Sequence, residues 1–267
     1  MVRLIASDLD GTIVRRDGSI SKRTIEAFTR ARNEGVQIVF VTGRPTRWLQ
    51  PIRDAFGSLG SVICSNGAVV YDFETDKILE SHTIPADDVM QTREIILEVE
   101  PQSTFAAETL LQLHLEETFP EPGDMRHLLE FRPAPLDALQ LGEEGVVKFL
   151  AKSRLLTPEN LHELVEPKVQ QYVSVTHSAF NMTLLEMAHP SVNKAAALAR
   201  HAELLGIPSS EVVAFGDMPN DIQMLGWAGR GYAMAGGHPT AIAACEYEAD
   251  TVENDGVARV IEDLLRS

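Results

Sequence analysis

A short apolar run that stops on two carboxylates and a glycine constrains this chain more than any other stretch. Val2 to Ala6 has strand character and leads into Ser7-Asp8-Leu9-Asp10-Gly11-Thr12-Ile13. Alternate side chains of a strand share a face, so Asp8 and Asp10 start out pointing the same way. The position they would occupy, at the carboxyl end of a buried strand, is where open α/β sheets take ligands. Two like charges held there call for a cation, and all-oxygen ligation suits Mg²⁺. One carboxylate can then be a nucleophile while the other handles a proton. The same residues also fit a strand running into an acidic turn closed by Gly11, because Asp and Gly are ordinary turn formers.

The pattern recurs along the chain. Ser21 is placed to cap a helix to about Asn33, with Ile25, Phe28 and Ala31 inward and Gly35 as its stop signal. Val36 to Val41 is a continuous apolar run, the mark of a strand buried on both faces. It ends in Thr42-Gly43-Arg44-Pro45, with Pro45 expected to open a helix reaching about Phe56. Thr42 and the amides beside it then sit between a strand end and a helix start, which suits phosphate, although Thr is also a common cap. Ser61 to Cys64 is a third strand, followed by Ser65-Asn66-Gly67-Ala68 and an antiparallel continuation from Val69 to Asp72. Short strands alternating with helices predict a doubly wound, mostly parallel, Rossmann-like sheet.

That pattern breaks near Ile84-Pro85 and resumes near residue 190. The domains expected are therefore a discontinuous α/β core, 1–83 with 190–267, and an inserted α+β cap domain, 84–189. Within the insertion the reading gives helices at Asp87 to Glu98 and Pro158 to Glu166. Strands are expected at Thr104 to Ala106, Leu111 to Leu115, Val146 to Ala151, Tyr172 to Thr176 and Met182 to Leu185. After it, a helix from Ser191 to about Leu205, with Val192, Ala195, Leu198 and Ala199 inward, carries Asn193-Lys194 in its first turn and the Leu204-Leu205 pair as ordinary core. A lysine at a helix start is disfavoured by the macrodipole, and a solvated side chain is its ordinary explanation. Glu211 to Phe215 is a strand ending in Gly216-Asp217-Met218-Pro219-Asn220-Asp221, so acids cluster again where a buried strand meets a helix. Asp217 would face Asp8 and Asp10 if the two strands are neighbours. A last strand (Gly229 to Met234), a short helix (Thr240 to Ala244), a loop at Ala249-Asp250 and a closing helix (Val257 to Leu265) complete the chain.

Composition sets the outer limits. The formal charge is -16, from 23 Lys+Arg against 39 Asp+Glu, which argues against a nucleic-acid or membrane-surface binder. The insertion holds 18 acidic and 7 basic residues, and a solvated outer face explains that excess. Cys64 and Cys245 have no metal-binding spacing and read as reduced thiols. With no signal peptide at the start and no long apolar run, the expectation is a cytoplasmic protein. Its oligomeric state is left open.

Four separated signals, Asp8-Leu9-Asp10-Gly11-Thr12, Thr42-Gly43-Arg44, Lys194 and Gly216 to Asp221, together resemble the haloacid dehalogenase-like phosphatases. The closest resemblance is to the Cof-type branch with a large α/β (C2-type) cap between the second and third motifs. It spans essentially the whole chain, including Ser65-Asn66-Gly67-Ala68 and the insertion point near residue 84. The resemblance implies that Asp8 attacks phosphorus to give an aspartyl-phosphate. Asp10 protonates the leaving alcohol and then activates water. Leu9, Thr42 and Gly43 bind the phosphoryl oxygens, and Lys194 neutralises them and the nucleophile. By the same resemblance, Mg²⁺ is expected to be held by Asp8, Asp10 through its backbone carbonyl, and Asp217, with Asn220 and Asp221 in or beside the shell. Phosphoryl transfer needs an in-line nucleophile and cations against the equatorial oxygens, which such a set supplies. Asn193 and Ala195 around the lysine, and Met218-Pro219 in the metal loop, depart from the family pattern.

The substrate implied is a small phosphorylated metabolite such as a sugar phosphate. Residues that could contact it are Arg44, Asn66, Glu108, His114, Arg126, Arg132, Lys148 and His177, although each also fits an ordinary surface role. Rival readings are a phosphosugar mutase of the same fold, a non-catalytic phosphate-ligand sensor, and, on net charge alone, a scaffold using the acidic insertion.

Overall fold

Buried apolar runs set the layout. The computed structural model describes residues 1–120, 133–177 and 184–266. They fall into two compact units, Met1–Glu80 with Asn193–Ser267, and Ser81–Val192.

Numbering strands along the whole chain, the first unit holds β1 (Leu4–Ser7), β2 (Gln37–Val41), β3 (Ser61–Cys64), β4 (Val69–Asp72), β5 (Lys77–Ser81), β11 (Val212–Gly216), β12 (Arg230–Met234) and β13 (Tyr247–Ala249). They form one eight-stranded sheet in the order β13-β12-β11-β1-β2-β3-β4-β5. From β13 to β3 every pairing is parallel, and β4 turns back antiparallel to β3. All residues of β1 and β11 are buried, as expected of strands covered on both faces. The chain leaves β1 toward β2 on one side and returns at β11 on the other. The reversal of strand order therefore lies between these two strands, where an open α/β sheet leaves a crevice at its carboxyl edge.

Helix α1 (Lys22–Asn33) starts at Ser21, whose hydroxyl accepts the Thr24 amide hydrogen at 3.0 Å, and stops before Gly35 at φ +89°. It buries Thr24, Ala27, Phe28 and Ala31, while Ile25 is only half-buried. Phe28 packs on Phe40 of β2 and on Phe56 of α2 (Gln50–Phe56), with ring centroids 5.5 and 5.6 Å apart. The expected single helix from Pro45 is instead a 3-10 turn, Thr46–Trp48, and then α2. Pro51 is the reason: in a helix interior its ring would strike the carbonyl of residue 47, whereas in the first turn of α2 it is tolerated. Thr42 is consequently at a strand end but not at an α-helix N-terminus.

Helix α6 (Lys194–Leu204) begins three residues later than Ser191, capped by Asn193, whose Oδ1 accepts the Ala196 amide hydrogen at 2.7 Å. Its buried stripe is Lys194, Ala197, Leu198, His201 and Ala202. Leu204 falls off that stripe and is 79% exposed, and Leu205 is 38% exposed. The core reading of that pair is wrong. Helices α7 (Ile222–Trp227), α8 (Pro239–Ala243) and α9 (Gly256–Leu264) complete the unit.

The second unit is a five-stranded antiparallel sheet, β7-β6-β8-β10-β9, built from β6 (Thr104–Thr109), β7 (Leu113–Leu115), β8 (Val146–Lys152), β9 (Ser174–His177) and β10 (Leu185–Ala188). Helices α3 (Ala86–Val99), α4 (Ala138–Glu144) and α5 (Pro158–Val169) share one core with Phe105, Phe149, Leu185 and Met187. The strand expected from Met182 begins at Leu185, and residues 182–183 lie outside the described set. Neither α4 nor β5 carries a periodic apolar signal strong enough to have been expected. No helix among the described residues is long and apolar enough to cross a membrane.

Candidate active site

Residues from four separate segments meet at the carboxyl edge of β1 and β11. Asp8 follows β1 directly, held by its amide hydrogen to the Phe215 carbonyl at 2.9 Å, and is 6% exposed. The chain then folds into a tight turn in which the Leu9 carbonyl accepts the amide hydrogens of Ile13 and Val14. Gly11, at φ +84°, makes that turn possible, and a Cβ there would lie 2.3 Å from Asp217 Oδ2. Thr12 donates its hydroxyl to Asp217 Oδ1 at 3.3 Å.

Lys194 is the first residue of α6 and is only 3% exposed, so the solvated-lysine explanation does not hold. Its Nζ lies 2.6 Å from Asp8 Oδ1 and 2.7 Å from Asp221 Oδ1. Two buried carboxylates offset both its burial and its unfavourable place in the helix dipole. Burial works against its charge, but Asp221 and Asp8 outweigh burial and raise the ammonium above the ordinary lysine range. Asp221, fully buried, is satisfied on its other oxygen by the amide hydrogens of Asp217 and Met218 at 3.1 and 2.9 Å. Pro219 opens the 3-10 turn Pro219–Asp221 that bends the carboxylate back onto those amides. The Met218-Pro219 departure is thus compatible with a closed loop, and Asn193 serves as a standard helix cap.

Burial pushes the Asp8 carboxyl well above the usual carboxylate range, with Lys194 opposing and Asp221 and Asp217 adding to the rise. Asp217 is pushed up to about 6, first by burial and then by Asp221. Ligand oxygens of Asp8, Asp217 and Asp221 all lie within 4.8 Å of one another. One lysine among three such acids leaves negative charge uncompensated, and a hard, oxygen-ligated divalent cation fits that donor set.

Asp10 does not join this cluster. β1 ends at Ser7, so the period-two argument that put Asp10 on the face of Asp8 stops applying before Asp10 is reached. Its carboxylate instead pairs with both ends of Arg44, at 2.8 Å to Nε and 2.5 Å to Nη2, and is 58% exposed. Thr42 is buried, and its hydroxyl accepts the Arg44 amide hydrogen at 3.0 Å. Asn66 accepts a hydrogen bond from Asn220 at 3.2 Å and adjoins Gly43.

In the second unit, Glu108 and Lys148 are directly opposed on β6 and β8, and Lys148 pairs with Glu186 at 2.6 Å. His114 is turned to Glu144, its Nε2 2.6 Å from that carboxylate, which His114, Thr109, Gln112 and Gln140 hold down at about 2 against the effect of burial. That pairing accounts for His114 within its own unit. His177 ends β9, its backbone paired with Leu185, while Arg126 and Arg132 lie outside the described residues. Thr12 was not assigned a role from sequence. Its spacing from Asp8 was the available signal.

A profile of the haloacid dehalogenase-like hydrolases matches residues 5–261. The chain belongs to the haloacid dehalogenase-like hydrolases. Among family members, it is 31% identical to the putative phosphatase YxeH of Bacillus subtilis, over 99% of each chain. It is 26% identical to the pyridoxal phosphate phosphatase YbhA of Escherichia coli, over 98% of each. The crystal structure of TM0651 from Thermotoga maritima superposes with a TM-score of 0.82 at 27% identity, covering 98% of this chain and 97% of that one. As a haloacid dehalogenase-like hydrolase with phosphatase relatives, the chain is a phosphoric monoester hydrolase.

Proposed function

We propose that this hydrolase removes the phosphoryl group of a small phosphorylated metabolite by way of an aspartyl-phosphate on Asp8. The observation that carries the reading is the buried Asp8–Lys194–Asp221 chain with Asp217 beside it. Asp8 is the one carboxylate of the set that adjoins the lysine, the other acids and the end of the central strand together.

An oxygen of Asp8 attacks phosphorus as the ester P–O bond breaks, and Asp10, protonated, gives its proton to the leaving alkoxide. Asp10 then takes a proton from water, whose oxygen attacks the same phosphorus. The bond from Asp8 to phosphorus breaks, inorganic phosphate leaves and Asp8 is restored. Lys194 opposes the effect of burial on Asp8 and faces the charge that builds on the phosphoryl oxygens. Thr42 and the backbone of Leu9 and Gly43, all near strand ends, would receive those oxygens. Mg²⁺ would be held by Asp8, Asp217 and the backbone of Asp10, and when bound it neutralises phosphoryl charge. Asp221, committed to Lys194 and two amides, orients rather than ligates. Arg44 keeps Asp10 aside in the free enzyme, so proton delivery requires that pair to open. We assign the second unit, 81–192, the part of the inserted cap domain.

The relatives' names cover pyridoxal phosphate, HMP-PP and 5-amino-6-(5-phospho-D-ribitylamino)uracil phosphatases, so the leaving group is to be found by assay. Phosphate release from a panel of metabolite phosphates, with and without Mg²⁺, tests the reading. Asp8→Asn should cut release by at least about a thousandfold while keeping the fold, since the nucleophile alone is lost. Isomerised sugar phosphate instead of inorganic phosphate would make the chain a mutase, and binding without turnover a sensor.

A further inference from the structure

Three consecutive residues after β3, Ser65, Asn66 and Gly67, have φ of +49°, +58° and +113°. Among the described residues only Asp76 and Asp255 share a positive φ without being glycine. Crowding of Cβ against the carbonyl disfavours this conformation, so two such residues in succession persist only where their surroundings impose it.

The surroundings act from three sides. The Ser65 and Asn66 amides donate to the carbonyls of Arg44 and Thr42 at 3.0 and 2.9 Å, fastening the turn to the loop after β2. A Cβ on Gly67 would stand 2.5 Å from the Asn193 carbonyl oxygen, so the turn lies against the first turn of α6. Asn66 Oδ1 accepts a hydrogen bond from Asn220 Nδ2, and a Cβ on Gly43 would lie 3.2 Å from the same oxygen. The turn thus touches the segments that carry Thr42, Lys194 and Asp217–Asp221. Its cost is visible in the buried Ser65 hydroxyl, left without a hydrogen-bond partner among the described residues.

We propose that Asn66 is a positioning residue that couples the Thr42–Arg44 loop to the 217–221 loop through its bond to Asn220. Asn is suited to both demands, since it tolerates the left-handed backbone and carries a carboxamide acceptor. Glycine would meet the first demand only. The turnover half of its test rests on the phosphatase reading; the metal-binding half does not.

Asn66→Gly keeps the backbone and deletes the side chain, and Asn220→Ala deletes the partner. For both variants and the double, Mn²⁺ affinity is read from the EPR signal of the free ion, kcat and KM from phosphate release, and folding from thermal melts. Each single variant should weaken Mn²⁺ binding and lower kcat by about tenfold, with KM within about twofold, as losses around a metal site do. The double should be no worse than the more impaired single, because both remove one bond. Losses that multiply in the double, or an Asn66→Gly protein with wild-type Mn²⁺ affinity, overturn the coupling. Wild-type protein that releases no phosphate removes the phosphatase reading, and the Mn²⁺ cycle still decides for Asn66.

Discussion

Asp217 shows at the scale of one residue what packing three acids together does to stability. Its carboxyl is raised from near 3.8 to about 6, by burial first and by Asp221 second. A raised acid pKa means the folded state binds its proton more tightly than the unfolded state. Its contribution is fully present below the unfolded value and is lost as pH climbs from about 3.8 to about 6. Asp217→Asn should therefore stabilise the metal-free protein by about 1–3 kcal/mol above pH 6, a rise of several degrees in Tm, with the gain vanishing toward pH 4. Melting curves at pH 8 and pH 4 in chelator check both halves. The acids of this site were legible in the sequence because each follows an apolar run that stops abruptly. Their pairing was not. Asp10 was expected beside Asp8 by strand periodicity, but the strand ends first and Arg44 takes its carboxylate. Lys194 was ambiguous because sequence shows the cost of a cation at a helix start and hides the two carboxylates that offset it.

At the scale of elements, boundaries follow caps and prolines more closely than apolar periodicity. Asn193 fixes the start of α6, which sets where Lys194 projects. Asn193→Ala should cost about 1 kcal/mol, and Asn193→Ser should restore it, as exchange among good caps does. A Tm drop of a few degrees in the first variant, absent in the second, is the expected reading. An equal drop in both would mean the side chain does something other than cap. Pro51 divides the helix after β2 in the same way, a rule that was available from sequence and was outweighed by Pro45. The second unit was harder to read. Its strands are short, β5 and α4 lack periodicity, and pairings such as Glu108 with Lys148 depend on register that no local signal reports.

Across the whole molecule, the site joins Asp8 and Thr42 near one end of the chain to Lys194 and Asp217 near the other, with 81–192 intervening. Loop-closure entropy grows only with the logarithm of length, about 0.6 kcal/mol per doubling, so so long an insertion is thermodynamically tolerable. A chain truncated after residue 205 should lack metal-dependent phosphate release and should aggregate. It retains β1 with its β11 side unpaired, an open edge for association. Light scattering and an activity assay on the truncated chain would test this, and a soluble, active product would contradict it.

The central position of β1 between β2 and β11 also has a consequence in time. Synthesis delivers Asp8 with β1, but the strand that completes its surroundings comes more than two hundred residues later. A nascent chain therefore carries the Asp8 carboxylate without Lys194 or Asp217 beside it until those later segments are made. The Asp8–Lys194–Asp221 cluster can assemble only once Asp221 has been made.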